Sequence, residues 1–141
     1  GDNEGAQRAF LRAVHNDSGR AAALHGLGNI AFEAGKYAEA VKYLEQARKV
    51  DPGNANTCFL LGLTYGALGD AARAEQAFRE GMQTDPRDVW PVVGLANLLA
   101  GAGRREEACE LYGQALALEP ENAQARQGRE QYCPGPAAPA P

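Results

Sequence analysis

Residues 55–88 read ANTCFLLGLTYGALGDAARAEQAFREGMQTDPRD, and the punctuation of this stretch decides the fold. Two runs of about 13 residues, both suited to helix, flank Gly69. Ala, Leu, Glu, Gln and Arg dominate the chain and lose little on entering a helix, whereas the strand-forming Val, Ile and Thr are scarce. Pro86 marks the end of the second run, because proline has no N–H to donate and disfavours helix in the residue before it. Gly69 stops the first run by taking the left-handed conformation that residues with a Cβ avoid. Asp88, two residues past Pro86, offers a side-chain oxygen to the unpaired N–H groups that open the next helix. Short linkers on both sides force antiparallel neighbours. The unit is a helical hairpin.

The same marks recur at an interval of 34 residues. Asp51-Pro52, Asp85-Pro86 and Glu119-Pro120 hold one position, followed two residues on by Asn54, Asp88 and Asn122. Gly35, Gly69 and Gly103 keep the interval, as do Ala40, Ala74 and Ala108, and the larger set Leu44, Phe78 and Tyr112. A period of this length belongs to arrays in which each hairpin buries its apolar face on the next. The predicted fold is all-α: an α-solenoid of antiparallel helical hairpins, three complete, with flanking partial units.

These residues resemble the tetratricopeptide repeat (TPR) family. Its first helix carries a large apolar residue, then Leu-Gly, then Tyr; its second carries Ala, Phe, Ala and a closing Pro. Residues 55–88 supply Cys58, Leu61-Gly62, Tyr65, Ala74, Phe78, Gly81 and Pro86. Residues 21–54 supply Leu24, Leu27-Gly28, Ala31, Ala40, Leu44, Ala47 and Pro52. Residues 89–122 supply Val92, Leu95-Ala96, Leu99, Ala108, Tyr112, Ala115 and Pro120. Residues 1–20 match the second helix of an earlier repeat, with Ala6, Phe10 and Ala13 in register but no first helix for Phe10 to meet. Residues 123–133 match the first helix of a later one. There Arg126, Arg129 and Glu130 replace the apolar residues, as befits a cap with a polar outer face. The Pro- and Ala-rich stretch 134–141 is expected to be a mobile tail. The resemblance implies a right-handed superhelix with first helices lining a concave face and second helices outside.

Composition narrows the functions. A net charge of -4 argues against a nucleic-acid binder, and no apolar run reaches the 18 or so residues that span a bilayer. His15 and His25 lie in different repeats without ligands at metal spacing, and no nucleophile-and-base set or phosphate loop is present. Gly26 and Gly28 follow no strand, and the repeat register accounts for Gly28. The expectation is a non-catalytic protein without metal or cofactor, acting as adaptor or scaffold.

Charge is sorted along the repeats. Across residues 21–34, 55–68 and 89–102 the only charged side chain is Glu33. By resemblance the concave positions hold His25, Asn29, Phe32 and Glu33, then Asn56, Phe59 and Leu63, then Trp90, Val93 and Asn97. Exposed aromatic and aliphatic residues on a nearly uncharged wall mark a binding surface. The expected ligand is a protein segment, an amphipathic helix or extended peptide, with two or three hydrophobic anchors. Asn29 and Asn97 share a repeat position and can hydrogen-bond a main chain. The alternative is that array curvature or an upstream helix covers these side chains. Family members that grip a chaperone's C-terminal carboxylate use Lys, Asn and Arg. The matching positions here are His25, Asn29, Leu60, Trp90 and Gly94, of which only Asn29 fits.

Two questions stay open at this level. Cys58 reads as a core residue, while Cys109 and Cys133 are placed nearly symmetrically about the turn at Pro120. They are either unrelated thiols, the plainer reading, or a bridge that pins the last helix and implies an oxidising, extracytoplasmic compartment. Without the bridge the default is cytoplasmic. The second question is self-association, in which the edge at Phe10 or the groove receives part of another copy.

Overall fold

A computed structural model describes residues 2–14 and 19–135. Among these residues the order is α1 (Asn3–Val14), α2 (Arg20–Glu33), α3 (Tyr37–Val50), α4 (Ala55–Ala67), α5 (Ala71–Thr84), α6 (Val89–Gly101), α7 (Arg105–Leu118) and α8 (Ala123–Tyr132). Helices α2 and α3, α4 and α5, and α6 and α7 form the hairpins, and each later hairpin packs on the one before it. The chain is thus an all-α helical-repeat solenoid. His15 and the greater part of the 134–141 tail lie outside the described residues.

The sequence punctuation has direct structural counterparts. Gly35, Gly69 and Gly103 sit at φ of 73, 78 and 81°, in the left-handed region that turns each hairpin. The Asn54 carboxamide oxygen accepts from Thr57 N–H at 3.1 Å, Asp88 from Trp90 N–H at 3.0 Å, and Asn122 from Ala125 N–H at 3.0 Å. A further cap, Asp70 accepting from Arg73 N–H at 3.1 Å, opens α5. Asp51, Asp85 and Glu119 leave the helical region just before the recurring prolines.

Packing between hairpins is a matter of matched sizes. The Phe78 ring lies between Gly62 on its own hairpin partner and Gly94 on the next hairpin, where a Cβ at either site would overlap it. Tyr112 lies against Gly128 in the same way, and Phe10 against Gly26. Where the repeat carries the smaller Leu44, the corresponding next-hairpin position is filled by Leu60. One large side chain per junction is accommodated by a glycine on the facing helix, which lets the helices approach closely. Gly26, which has no account in the sequence pattern, is the seat for Phe10. Phe10 is consequently half-buried rather than bare.

Candidate functional site

Helices α2, α4 and α6 contact one another along one side of the array, the side expected to be its inner wall, and α4 and α6 carry the apolar centre of that side. Trp90, at the first turn of α6, is 45% exposed. Its ring centroid lies 6.4 Å from that of half-buried Phe59 on α4, and Phe59 in turn lies 6.0 Å from Phe78 in the core. The three rings form a chain from the interior to the surface, so Trp90 is presented on a rigid base. Leu63, one turn beyond Phe59, is half-buried, and Asn56, one turn before it, is exposed.

The other inner-wall residues are placed less uniformly. Val93 is 1% exposed and lines no groove. Phe59 holds the same repeat position, but its longer ring emerges between α4 and α6, whereas the short Val93 side chain stays in the core. Phe32 packs half-buried against Tyr37, ring centroids 5.5 Å apart, at the hairpin turn. Glu33 is exposed and accepts from the Asn29 carboxamide at 3.1 Å, so Asn29 spends one donor within its own helix. Asn97 accepts from the Tyr112 hydroxyl at 2.7 Å, which fixes its amide orientation and leaves its NH2 group directed away from that bond. His25 is half-buried, with Nδ1 3.0 Å from Thr57 Oγ1, and ties α2 to α4. Burial pushes its pKa below the ordinary histidine value.

Sequence reasoning missed a polar extension of this wall. Gln124, Gln127, Gly128, Gln131 and Tyr132 of α8 surround, with Asn97, a cleft of about 410 Å³. The signal was available: four of these residues lie 34 positions beyond Trp90, Val93, Gly94 and Asn97. Gln124 and Gln127 are polar, unlike Trp90 and Val93 at the same positions of α6, so the wall changes character at α8. Arg126, Arg129 and Glu130 are all exposed.

The outer helices carry the ions. Arg48 bridges Glu45 and Glu80 at 2.7 Å each, joining the first two hairpins. The Tyr65 hydroxyl donates to Glu45 at 2.7 Å; burial and that acceptor push its pKa up to about 12. Arg104 pairs with Glu75 and Glu107 at 2.7 Å each, joining the second and third hairpins. Hydrogen bonds from Arg104 and Arg79 hold the Glu75 carboxyl below the usual range. The third junction is covalent: Cys109 and Cys133 are joined by a disulfide, with Cα atoms 5.6 Å apart. Cys58 is a free, buried thiol. No cluster of His, Cys, Asp or Glu able to hold a metal occurs among the described residues. No described helix is long and apolar enough to cross a membrane.

Stacked two-helix hairpins, each packed on the one before it, define a helical-repeat array. Two models of the tetratricopeptide repeat match the chain, over residues 20–87 and 65–131, and the chain belongs to that family. Among its relatives, the protein O-mannosyl-transferase Tmtc3 of Drosophila melanogaster is 28% identical over 131 residues, 82% of this chain but 14% of that protein. The TPR repeat-containing protein YpiA of Bacillus subtilis is 29% identical over 97 residues, 69% of this chain and 23% of that protein. The chain therefore spans a small part of these relatives. The crystal structure of MamA superposes with a TM-score of 0.83 at 21% identity, covering 91% of this chain and 75% of that one. The first TPR of Spaghetti (RPAP3), solved with the HSP90 peptide SRMEEVD, gives 0.78 at 26% identity, covering 84% and 94%.

Proposed function

We propose that this array is a non-catalytic protein-interaction module that holds an apolar or amphipathic helix or peptide in its concave groove. The observation that carries the reading is Trp90, large, exposed and backed by Phe59 on a wall where α4 and α6 contribute no charged side chain. An indole on a packed aromatic base loses little entropy when covered, which is why such residues dominate interface energies. Asn56 and Leu63 lie one turn to either side of Phe59 on α4, and residues 55–68 offer a partner no ion to pair with.

The charge of a binding wall decides which ligands it suits. The HSP90 peptide held by the Spaghetti domain ends in Glu-Glu-Val-Asp. Such a tail calls for cations, and the inner positions of this chain are His25, Asn29, Leu60, Trp90 and Gly94. Hydrophobic anchors, not an acidic terminus, are what this groove suits. The test is affinity capture with wild type and with Trp90→Ala/Phe59→Ala, compared by quantitative mass spectrometry. Partners held by the wild type should be lost from the double variant while its circular dichroism stays helical. Partners retained by a helical double variant overturn the assignment.

A further inference from the structure

Helix α8 is a weak element on its own. It spans 10 residues, near the length at which an isolated helix is marginal in water, and within it only Ala125 and Gly128 are buried. Yet it has work to do: Gly128 covers the ring of Tyr112, and its Gln124, Gln127 and Gln131 form the last rung of the concave wall. What ties its far end down is the bond from Cys133, at its C-cap, to Cys109 on α7. Both cysteines line an open cleft of about 680 Å³ with Arg105, Glu106, Gln131, Tyr132 and Pro134, so the disulfide faces solvent.

We propose that the Cys109–Cys133 disulfide is a reducible latch: closed, it holds α8 as the last rung of the groove; opened by a dithiol, it releases that helix alone. The chemistry is thiol–disulfide exchange. One thiolate of the dithiol bonds to a cysteine sulfur as the Cys109–Cys133 bond breaks and the other sulfur leaves as thiolate. The second thiolate of the reagent then displaces the first cysteine, so the reagent departs as a cyclic disulfide. Each protein thiolate takes one proton, and two electrons have passed from the reagent to the pair. Arg105 and Glu106 line the same cleft with opposite charges, and either cysteine can serve as the leaving thiolate. At the corresponding position one repeat earlier, Glu75 meets Arg104 of the following hairpin. The same junction is thus closed ionically once and covalently once, and only the covalent copy responds to reductant.

The effect of the latch on binding rests on the groove reading above, but the latch itself is read without any ligand. Native-state hydrogen exchange of the whole chain is measured as purified, after dithiothreitol, and in Cys133→Ser. Amides of α8 should exchange about 100-fold faster in the reduced and Cys133→Ser proteins, from the lost constraint on the intervening loop. Protection in α2 to α6 should be unchanged, and air reoxidation of the reduced wild type should restore α8. Equal protection of α8 in all three states overturns the latch. So does loss of protection spreading through α2 to α6, or titration of three free thiols in the unreduced, denatured protein.

Discussion

The inner helices α2, α4 and α6 and the outer helices α3, α5 and α7 come from the same repeat, yet they carry opposite chemistry. The outer set holds the Arg48–Glu45–Glu80 and Arg104–Glu75–Glu107 clusters that join successive hairpins. The inner set holds an exposed indole, half-buried Phe59 and Leu63, and hydrogen bonds that end within the array, as at Asn29 and Asn97. Both faces share one core, so the difference is not forced by packing. Ionic contacts outside join successive hairpins, while inside α4 and α6 carry no charged side chain and α2 carries Arg20 and Glu33 at its ends.

That separation can be broken from the core outward. Leu61, fully buried between the faces, should cost about 2–5 kcal/mol as Leu61→Ala, read as a lowered thermal midpoint, because the cavity collapses only in part. Arg48→Ala should cost about 1 kcal/mol, less in high salt, and leave partner capture intact. Trp90→Ala should change stability by no more than about 0.5 kcal/mol while abolishing capture, the reverse of Arg48→Ala. If the two variants fail in the same assay, the division between faces is false.

The smallest effect is a pH dependence. His25 has a lowered pKa in the folded state through burial, so the unfolded chain binds its proton more readily. The stability it contributes is complete above the ordinary histidine value of 6.5 and is lost as pH falls through the lower folded value. Glu75, also depressed, adds its own loss below the ordinary glutamate value of 4.5. Denaturant midpoints from pH 8 to 3 should fall in these two windows, and His25→Gln should remove only the upper one.

Much of this was legible in the residues because the repeat states each mark three times. Pro52, Pro86 and Pro120 with the side-chain caps at Asn54, Asp88 and Asn122 define helix ends by local chemistry alone. Side-chain height above the helix surface is not so encoded. Phe59 and Val93 share a register position, and only the packing of α4 against α6 decides that the ring emerges and the isopropyl group does not. Gly26 is explained only by the Phe10 ring over it, since the partner of a small residue lies on another helix. The junction between Cys109 and Cys133 was one of two readings in sequence, because spacing about a turn sets proximity but not the direction of the Cβ atoms.

The central claim is that a partner covers the indole of Trp90, and Trp90 is the single tryptophan of the chain. Its fluorescence during titration with a captured partner free of tryptophan is therefore the most direct measurement. The account predicts a blue shift and protection from iodide quenching at saturation, in wild type and in Arg48→Ala alike. Binding that saturates while the emission and its quenching stay unchanged would place the partner elsewhere and contradict the account.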